Sequence, residues 1–161
     1  MSPAHKRFFL LDEAVGSIIV NLIINGAIAF LMFRGASRVP LWGQQSIAGD
    51  TIGTTFFLPL ITTLIVTPLA RRNVQAGRFE ALEWARDVPS ALQWLPAGTF
   101  ARGVVLGLLC TVIVAPLSVG ALYALGVTDL GFWSFVIFKA LFAAALGAPV
   151  TPLIALLAIA K

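Results

Sequence analysis

The polar residues that could do chemistry in this chain lie inside or beside long apolar stretches. Lys139 is the only charged side chain between residues 132 and 160. An isolated ammonium in lipid needs a carboxylate, another hydrogen-bonding partner or water. Asn21 and Asn25 are four residues apart and share one face of a helix, and counting along the helices places Asn25 and Lys139 at a similar depth. The sequence therefore predicts a polar intramembrane cluster with these members: Lys139, Asn21, Asn25, Asp50 and Thr55.

Two interpretations fit this pattern. In the first, the cluster faces a path for a small solute, and the ammonium of Lys139 favours an anion. In the second, the long aliphatic stem of Lys139 carries its amine to the nearer membrane interface, with no further function. Asn21 and Asn25 have a similarly simple alternative, because an amide hydrogen bond between helices contributes on the order of 1 kcal/mol and orients a helix.

The elements that must position these side chains are apolar spans. Hydrophobic residues form 59% of the chain, charged residues form 11%, and the mean hydropathy is +0.96. This composition leaves too little polar surface for a soluble monomer of 161 residues. Stretches of roughly 20 apolar residues cross a bilayer as helices, and the chain has four: residues 14–33, 51–70, 103–125 and 132–160. We predict an all-α integral membrane protein with four transmembrane helices. Asp12 and Glu13 suit the first turn of the first helix, where the dipole favours negative charge.

The positions of the basic residues predict the orientation in the membrane. The net charge is +4, and only Arg34 and Arg38 fall on one side of the predicted membrane. Lys139 lies within a span, and the other side holds the remaining basic residues: Lys6, Arg7, Arg71, Arg72, Arg78, Arg86, Arg102 and Lys161. Because Lys and Arg collect in cytoplasmic loops, both termini are predicted to be cytoplasmic, in a bacterial inner membrane. Nucleic acid is not an expected partner, since these charges border apolar spans and form no basic domain.

A short repeat predicts how the spans are organised. The tetrapeptide Val-Thr-Pro-Leu occurs at residues 66–69 and again at residues 150–153, near the ends of the second and fourth spans. Aligning the two copies gives two hairpins of the same orientation, which is a parallel repeat. The predicted organisation is a first helical hairpin, a cytoplasmic interfacial linker and a second helical hairpin, over residues 1–70, 71–99 and 100–161.

Helix contacts and the linker also have sequence signals. Small residues four positions apart let neighbouring helix backbones approach closely, and three such pairs are predicted to pack helices: Gly49 and Gly53, Gly103 and Gly107, Ala143 and Gly147. Within the linker, apolar residues at helical spacing predict a short surface helix near residues 78–86.

No enzymatic chemistry is predicted. The only histidine, His5, lies outside the spans, so paired imidazole ligation of haem within one chain is excluded. Motifs for phosphate binding, metal ligation or a Ser/His/Asp set are absent from the sequence. We therefore predict no catalytic residue, no cofactor and no metal site. One cysteine, Cys110, allows no intrachain disulfide.

Two functions remain. The first is a small polytopic membrane protein without enzymatic activity, which acts through helix packing as a self-associating or accessory subunit of a membrane assembly. Its partners would be the lipid bilayer and either further copies of itself or a larger membrane complex. The alternative is an oligomeric transporter or channel for a small solute or an anion, which uses Lys139 and Asn25. Four helices are few for a complete transport path, so this alternative requires several copies.

Overall fold

The computed structural model describes residues 3–78 and 81–160. Over these residues the fold is helical, and four of its helices are long and apolar enough to cross a membrane. The helices are α1 (Pro3–Phe33), α2 (Ile47–Gln75), a short α3 (Trp84–Asp87), α4 (Thr99–Ala124) and α5 (Phe132–Ile159), with a 3-10 turn at Ser90–Leu92. The predicted helical architecture, with four helices of membrane-spanning length and hydropathy, is thus confirmed for the described residues.

Helices α1, α2 and α4 begin before the predicted spans, and α2 also ends after its predicted span. Helix α1 begins at Pro3 and has no acidic residue in its first turn, so the placement of Asp12 and Glu13 at a helix start was wrong. Helix α2 begins at Ile47 because the Ser46 hydroxyl accepts a hydrogen bond from the Gly49 backbone N–H at 3.1 Å. Charged residues at the other end of α2 do not stop the helix, which continues to Gln75.

Helix α5 lies at the centre of the bundle. In its most apolar window 72% of the residues are buried, against 11% for α1. Small residues on α5, including Ala140, Ala143 and Ala144, are buried and allow neighbouring helices to come close. Helices α1 and α2 both pack on α5, and α4 packs on α2.

The two helices within each predicted hairpin are not the main packing partners. Helices α1 and α2 have no extensive contact with each other, and α4 and α5 meet only locally, for example through the Arg102–Leu157 hydrogen bond. The two predicted hairpins are therefore hairpins by chain connection, while the packed pairs join one half of the chain to the other.

The two loops at one end of the bundle form a small antiparallel ribbon. Strand β1 (Arg38–Pro40) pairs with strand β2 (Asp129–Gly131), with Val39 opposite Leu130. Val39 is buried against the helix ends, and an exposed ion pair joins Arg38 to Asp129. The sequence did not predict this ribbon, because two strands of three residues carry too little periodicity to be recognised. We call this end of the bundle the sheet end.

The opposite end, which we call the linker end, is covered by the chain between α2 and α4. Val88 and Leu95 of this linker are buried in one apolar cluster with Leu106 of α4 and with residues of α5. The predicted surface helix near residues 78–86 lies partly outside the described residues, and the helix present is α3. The linker thus packs some of its apolar residues against the helix ends, while others such as Trp94 remain exposed.

Arg102 fastens the linker to the bundle. Its guanidinium donates hydrogen bonds to the Pro96 carbonyl at 2.9 Å and to the Leu157 carbonyl at 2.8 Å. The same group lies 5.3 Å from the centre of the Trp84 ring, a cation–π distance. Arg102 is only 3% exposed, so it acts as an internal bridge between α4, the linker and the end of α5.

Candidate functional site

A large cavity forms a groove between α1 and α2, with α5 as its floor. Its volume is about 1050 Å³, and it is lined from the sheet end at Gln45 to the linker end at Glu13. The walls are apolar, with half-exposed side chains such as Ile24 on α1 and Ile61 on α2. Because α1 and α2 have no extensive contact with each other, the groove opens sideways between them.

An ion pair lies in the part of the groove near the sheet end. The Lys139 ammonium donates to a carboxylate oxygen of Asp50. The Lys139 and Asp50 side chains are 5% and 9% exposed, and both residues line the groove. Asp50 lies in the first turn of α2, so the lysine stem reaches from α5 toward the sheet end to meet it. The structure thus gives Lys139 a buried carboxylate partner in the groove, while the solute path and the interfacial amine both stay predictions.

Pairing changes the electrostatic character expected of Lys139. When both groups are ionised, the carboxylate of Asp50 balances the ammonium, and the pair has no net charge. An anion bound to the remaining N–H groups of Lys139 would also lie close to the negative carboxylate of Asp50, which repels it. The site is therefore suited to a polar group that carries no net charge or both signs of charge.

Polar side chains continue along α1 from the ion pair toward the linker end. Asn25 donates to the Asn21 carbonyl at 3.1 Å, and Asn21 donates to the Ser17 carbonyl and to its hydroxyl, both at 3.0 Å. The Ser17 hydroxyl is also hydrogen-bonded to the Thr151 hydroxyl of α5 at 2.7 Å. On α1, Glu13, Ser17, Asn21 and Asn25 recur at every fourth position, and all of them line the groove. We call the α1 residues Glu13, Ser17, Asn21 and Asn25 the polar stripe.

Not every predicted member of the cluster belongs to this groove. Lys139, Asp50, Asn21 and Asn25 line it together. Thr55, in contrast, is completely buried and turned toward α4, where its hydroxyl lies 3.4 Å from that of Thr111. The structure therefore groups four of the five predicted residues and separates Thr55 from them.

The small-residue pairs are used mainly inside the chain. A Cβ atom on Gly107 would lie 2.7 Å from the Phe56 carbonyl oxygen, and one on Gly103 would lie 3.0 Å from the Leu60 side chain, so both glycines hold α4 against α2. Ala143 is fully buried, and Gly147 faces Asn21 and Ser17 of α1.

The remaining pair has a different setting. Gly49 lies in the capped first turn of α2, and Gly53 has open space where a side chain would be; both line the groove. Self-association through the glycines of α4 or α5 would therefore require these helices to part from α2 or α1.

Several groove residues were not recognised from the sequence. Ser17, Thr54 and Thr151 line the groove, and Thr54 donates to the Asp50 carbonyl at 2.8 Å. Spacing of four residues from Glu13 to Asn25 was a usable signal for the polar stripe. Contact between Ser17 and Thr151 had no such signal, because it joins residues far apart in the sequence.

The groove contains hydrogen-bonding groups but no arrangement typical of a metal centre. Among the residues that the structure describes, no three His, Cys, Asp or Glu side chains lie close enough to hold a metal ion. Chemically, the site offers an ammonium, a carboxylate, amides and hydroxyls along an apolar cleft. Comparisons with protein-family models, with characterised proteins and with solved structures find no match to this chain.

Proposed function

We propose that this is a multi-pass membrane protein without enzymatic activity, which binds an amphipathic molecule of the bilayer in the α1–α2 groove. The polar part of the ligand would contact the Lys139–Asp50 pair and the polar stripe, and the apolar part would lie between the walls. This proposal develops the transporter alternative but does not require several copies. The open side of the groove would face lipid, so a single chain would provide the whole binding site.

The observation that carries this proposal is that polar side chains and apolar side chains line the same groove. Lipid chains alone would leave the remaining hydrogen-bonding groups of the amides and of the ion pair facing hydrocarbon, which is unfavourable. An aqueous solute alone would leave the walls in contact with a polar ligand. A molecule with a polar head and an apolar tail matches both kinds of surface, since Lys139 and Asn25 give the groove polar groups while Ile24 and Ile61 give it apolar walls.

The orientation that we propose follows the basic residues. With the linker end in the cytoplasm of a bacterial cell and the sheet end outside the inner membrane, Arg71, Arg72 and Arg78 lie on the cytoplasmic side. Both termini are then cytoplasmic. The Lys139–Asp50 pair lies close to the outer interface in this orientation.

We also propose that the two halves are a parallel repeat related by an axis along the bundle. The contact pattern supports it: exchanging α1 with α4 and α2 with α5 turns the α1–α5 contact into the α4–α2 contact, and leaves the α2–α5 contact unchanged. Antiparallel pairing of β1 with β2 obeys the same two-fold relation. Aligning the two tetrapeptides places Lys139 opposite Thr55.

The two halves differ in what occupies the matching gap. The gap between α4 and α5 receives Val88 and Leu95 of the linker, whereas the gap between α1 and α2 is the open groove. This difference favours a second candidate function, in which an apolar segment of another copy or of a partner subunit fills the groove. The protein would then be the self-associating or accessory subunit of a membrane assembly that the sequence favours.

One experiment separates the two candidates. A photoreactive benzoylphenylalanine is placed at Ile61 in the groove and, as a control, at Val112 on the exposed face of α4. After irradiation in native membranes, the mass of each adduct is measured. We expect adducts at Ile61 to be enriched in one lipid class above its share at Val112, and the enrichment to disappear in a Lys139→Met variant.

Each contrary result has a clear meaning. An adduct with the mass of two protein chains would favour the assembly function and contradict lipid binding. The same lipid mixture at Ile61 and Val112 would mean that bulk lipid fills the groove, and the proposed ligand site would be abandoned.

A further inference from the structure

The groove has polar groups along most of its length, which is more than a fixed binding site requires. From Glu13 to Asn25 the polar stripe rises about 18 Å along α1, at 1.5 Å per residue. The ion pair of Lys139 and Asp50 continues the series toward the sheet end, where Gln45 also lines the groove. Hydrogen-bonding groups therefore extend along most of a hydrocarbon core that is about 30 Å thick.

We propose that the groove lets the headgroup of a zwitterionic phospholipid pass from one leaflet to the other. This inference rests on the proposed function, because it uses the same groove and the same ligand class. The headgroup moves along the polar stripe while its acyl chains remain in the bilayer through the open side of the groove. The bilayer supplies the missing wall, so four helices are sufficient.

The charge of the groove selects the headgroup. The Lys139 ammonium has three N–H donors and Asp50 has two carboxylate oxygens, and their mutual contact joins the ammonium to one of those oxygens. A phosphate bound to the remaining donors of Lys139 and an amine bound to the remaining oxygen of Asp50 would each gain a charge-assisted hydrogen bond. Phosphatidylethanolamine carries both groups. A headgroup with a net negative charge would meet the carboxylate without a compensating amine.

The polar stripe lowers the barrier for the rest of the path. A headgroup in hydrocarbon loses its hydrogen bonds to water, and this loss is the main cost of crossing a bilayer. Asn21 and Asn25 are each partly exposed and line the groove, so their amides can replace part of that hydration. Ser17 and Thr54 add hydroxyl groups along the same path.

A leaflet-exchange assay tests the proposal. Purified protein is reconstituted into vesicles that contain a trace of fluorescent phosphatidylethanolamine, and dithionite is added to bleach the label in the outer leaflet. Protein-free vesicles lose the outer half of the signal, and we expect vesicles with the protein to lose nearly all of it. A trapped soluble dye in parallel vesicles checks that dithionite stays outside.

Variants and a second probe make the test specific. We expect the double variant Asn21→Leu/Asn25→Leu to slow lipid exchange between the leaflets by about tenfold or more. Ser118→Leu, on α4 and outside the groove, should leave the rate unchanged. Thr54→Val tests the same path without changing α1, and should also slow exchange. Fluorescent phosphatidylglycerol, which is anionic, should exchange more slowly than phosphatidylethanolamine.

The outcomes are distinguishable from a failure of the proposed function. Bleaching that stops at half of the signal overturns leaflet exchange, while lipid enrichment at Ile61 would leave lipid binding in place. Loss of both results overturns both proposals. Equal rates for wild type and the asparagine variants would mean nonspecific disturbance of the bilayer, and equal rates for the two lipids would overturn the zwitterionic assignment.

Discussion

The Lys139–Asp50 pair should be strongly coupled, and a double-mutant cycle measures this. Lys139→Met leaves the Asp50 carboxylate, whose side chain is 9% exposed, without its buried partner. Removing one member of a buried ion pair costs about 3–5 kcal/mol of stability, whereas replacing both members with apolar residues is often close to neutral. We therefore expect Lys139→Met to lower the free energy of unfolding by about 3 kcal/mol. The double variant Lys139→Met/Asp50→Leu should recover most of that loss.

The assay is unfolding of the purified protein in mixed micelles by increasing SDS, followed by circular dichroism. An exposed ion pair in the same chain serves as control. Arg38 is 68% exposed where it pairs with Asp129, so Arg38→Gln should cost no more than about 1 kcal/mol. Additive losses from Lys139→Met and Asp50→Leu, with no recovery in the double variant, would refute the buried pair. A loss equal to that of Arg38→Gln would refute the burial of Lys139.

Two further predictions concern packing. Gly107→Ala should destabilise the protein by about 1–3 kcal/mol in the same assay, because the new Cβ would lie 2.7 Å from the Phe56 carbonyl oxygen and the helices would have to separate. Gly120→Ala on the same helix is the control, since its new Cβ would meet open space. An equal effect of the two changes would contradict the close α2–α4 contact. Arg102→Met should loosen the linker, because it removes two charge-assisted hydrogen bonds worth roughly 1.5–3 kcal/mol each. Limited proteolysis should then cleave the linker at least about tenfold faster, and unchanged cleavage would show that the bridge does not hold the linker in place.

The helical architecture was largely predictable because it depends on local composition. Twenty or more apolar residues in succession have few alternatives to a membrane-length helix, since unpaired backbone groups are costly in lipid. The four spans were therefore found, with errors at their ends. Helix α2 continues through Arg71 and Arg72 because exposed charged side chains do not interrupt the hydrogen bonds of the helix backbone.

The candidate site was predictable only in part. Lys139, Asn21 and Asn25 stood out because polar residues are rare in apolar spans, and depth counting brought Asp50 near Lys139. Thr55 was grouped with them by depth alone, but depth does not fix the direction of a side chain around the helix. Its hydroxyl turns toward Thr111 of α4, since α4 packs on that face of α2.

The sequence by itself determined the helical architecture, its four long apolar helices, and Lys139 as a charged exception within one of them. These properties follow from hydropathy and spacing, which are local. Tertiary structure decided that α5 separates α1 from α2, and that the linker fills one gap while the other remains open as the groove. Such choices depend on the fit between faces of helices far apart in the chain. Contacts such as Ser17 with Thr151 and Gly107 with Phe56 set that fit, and they have no signature in either segment alone.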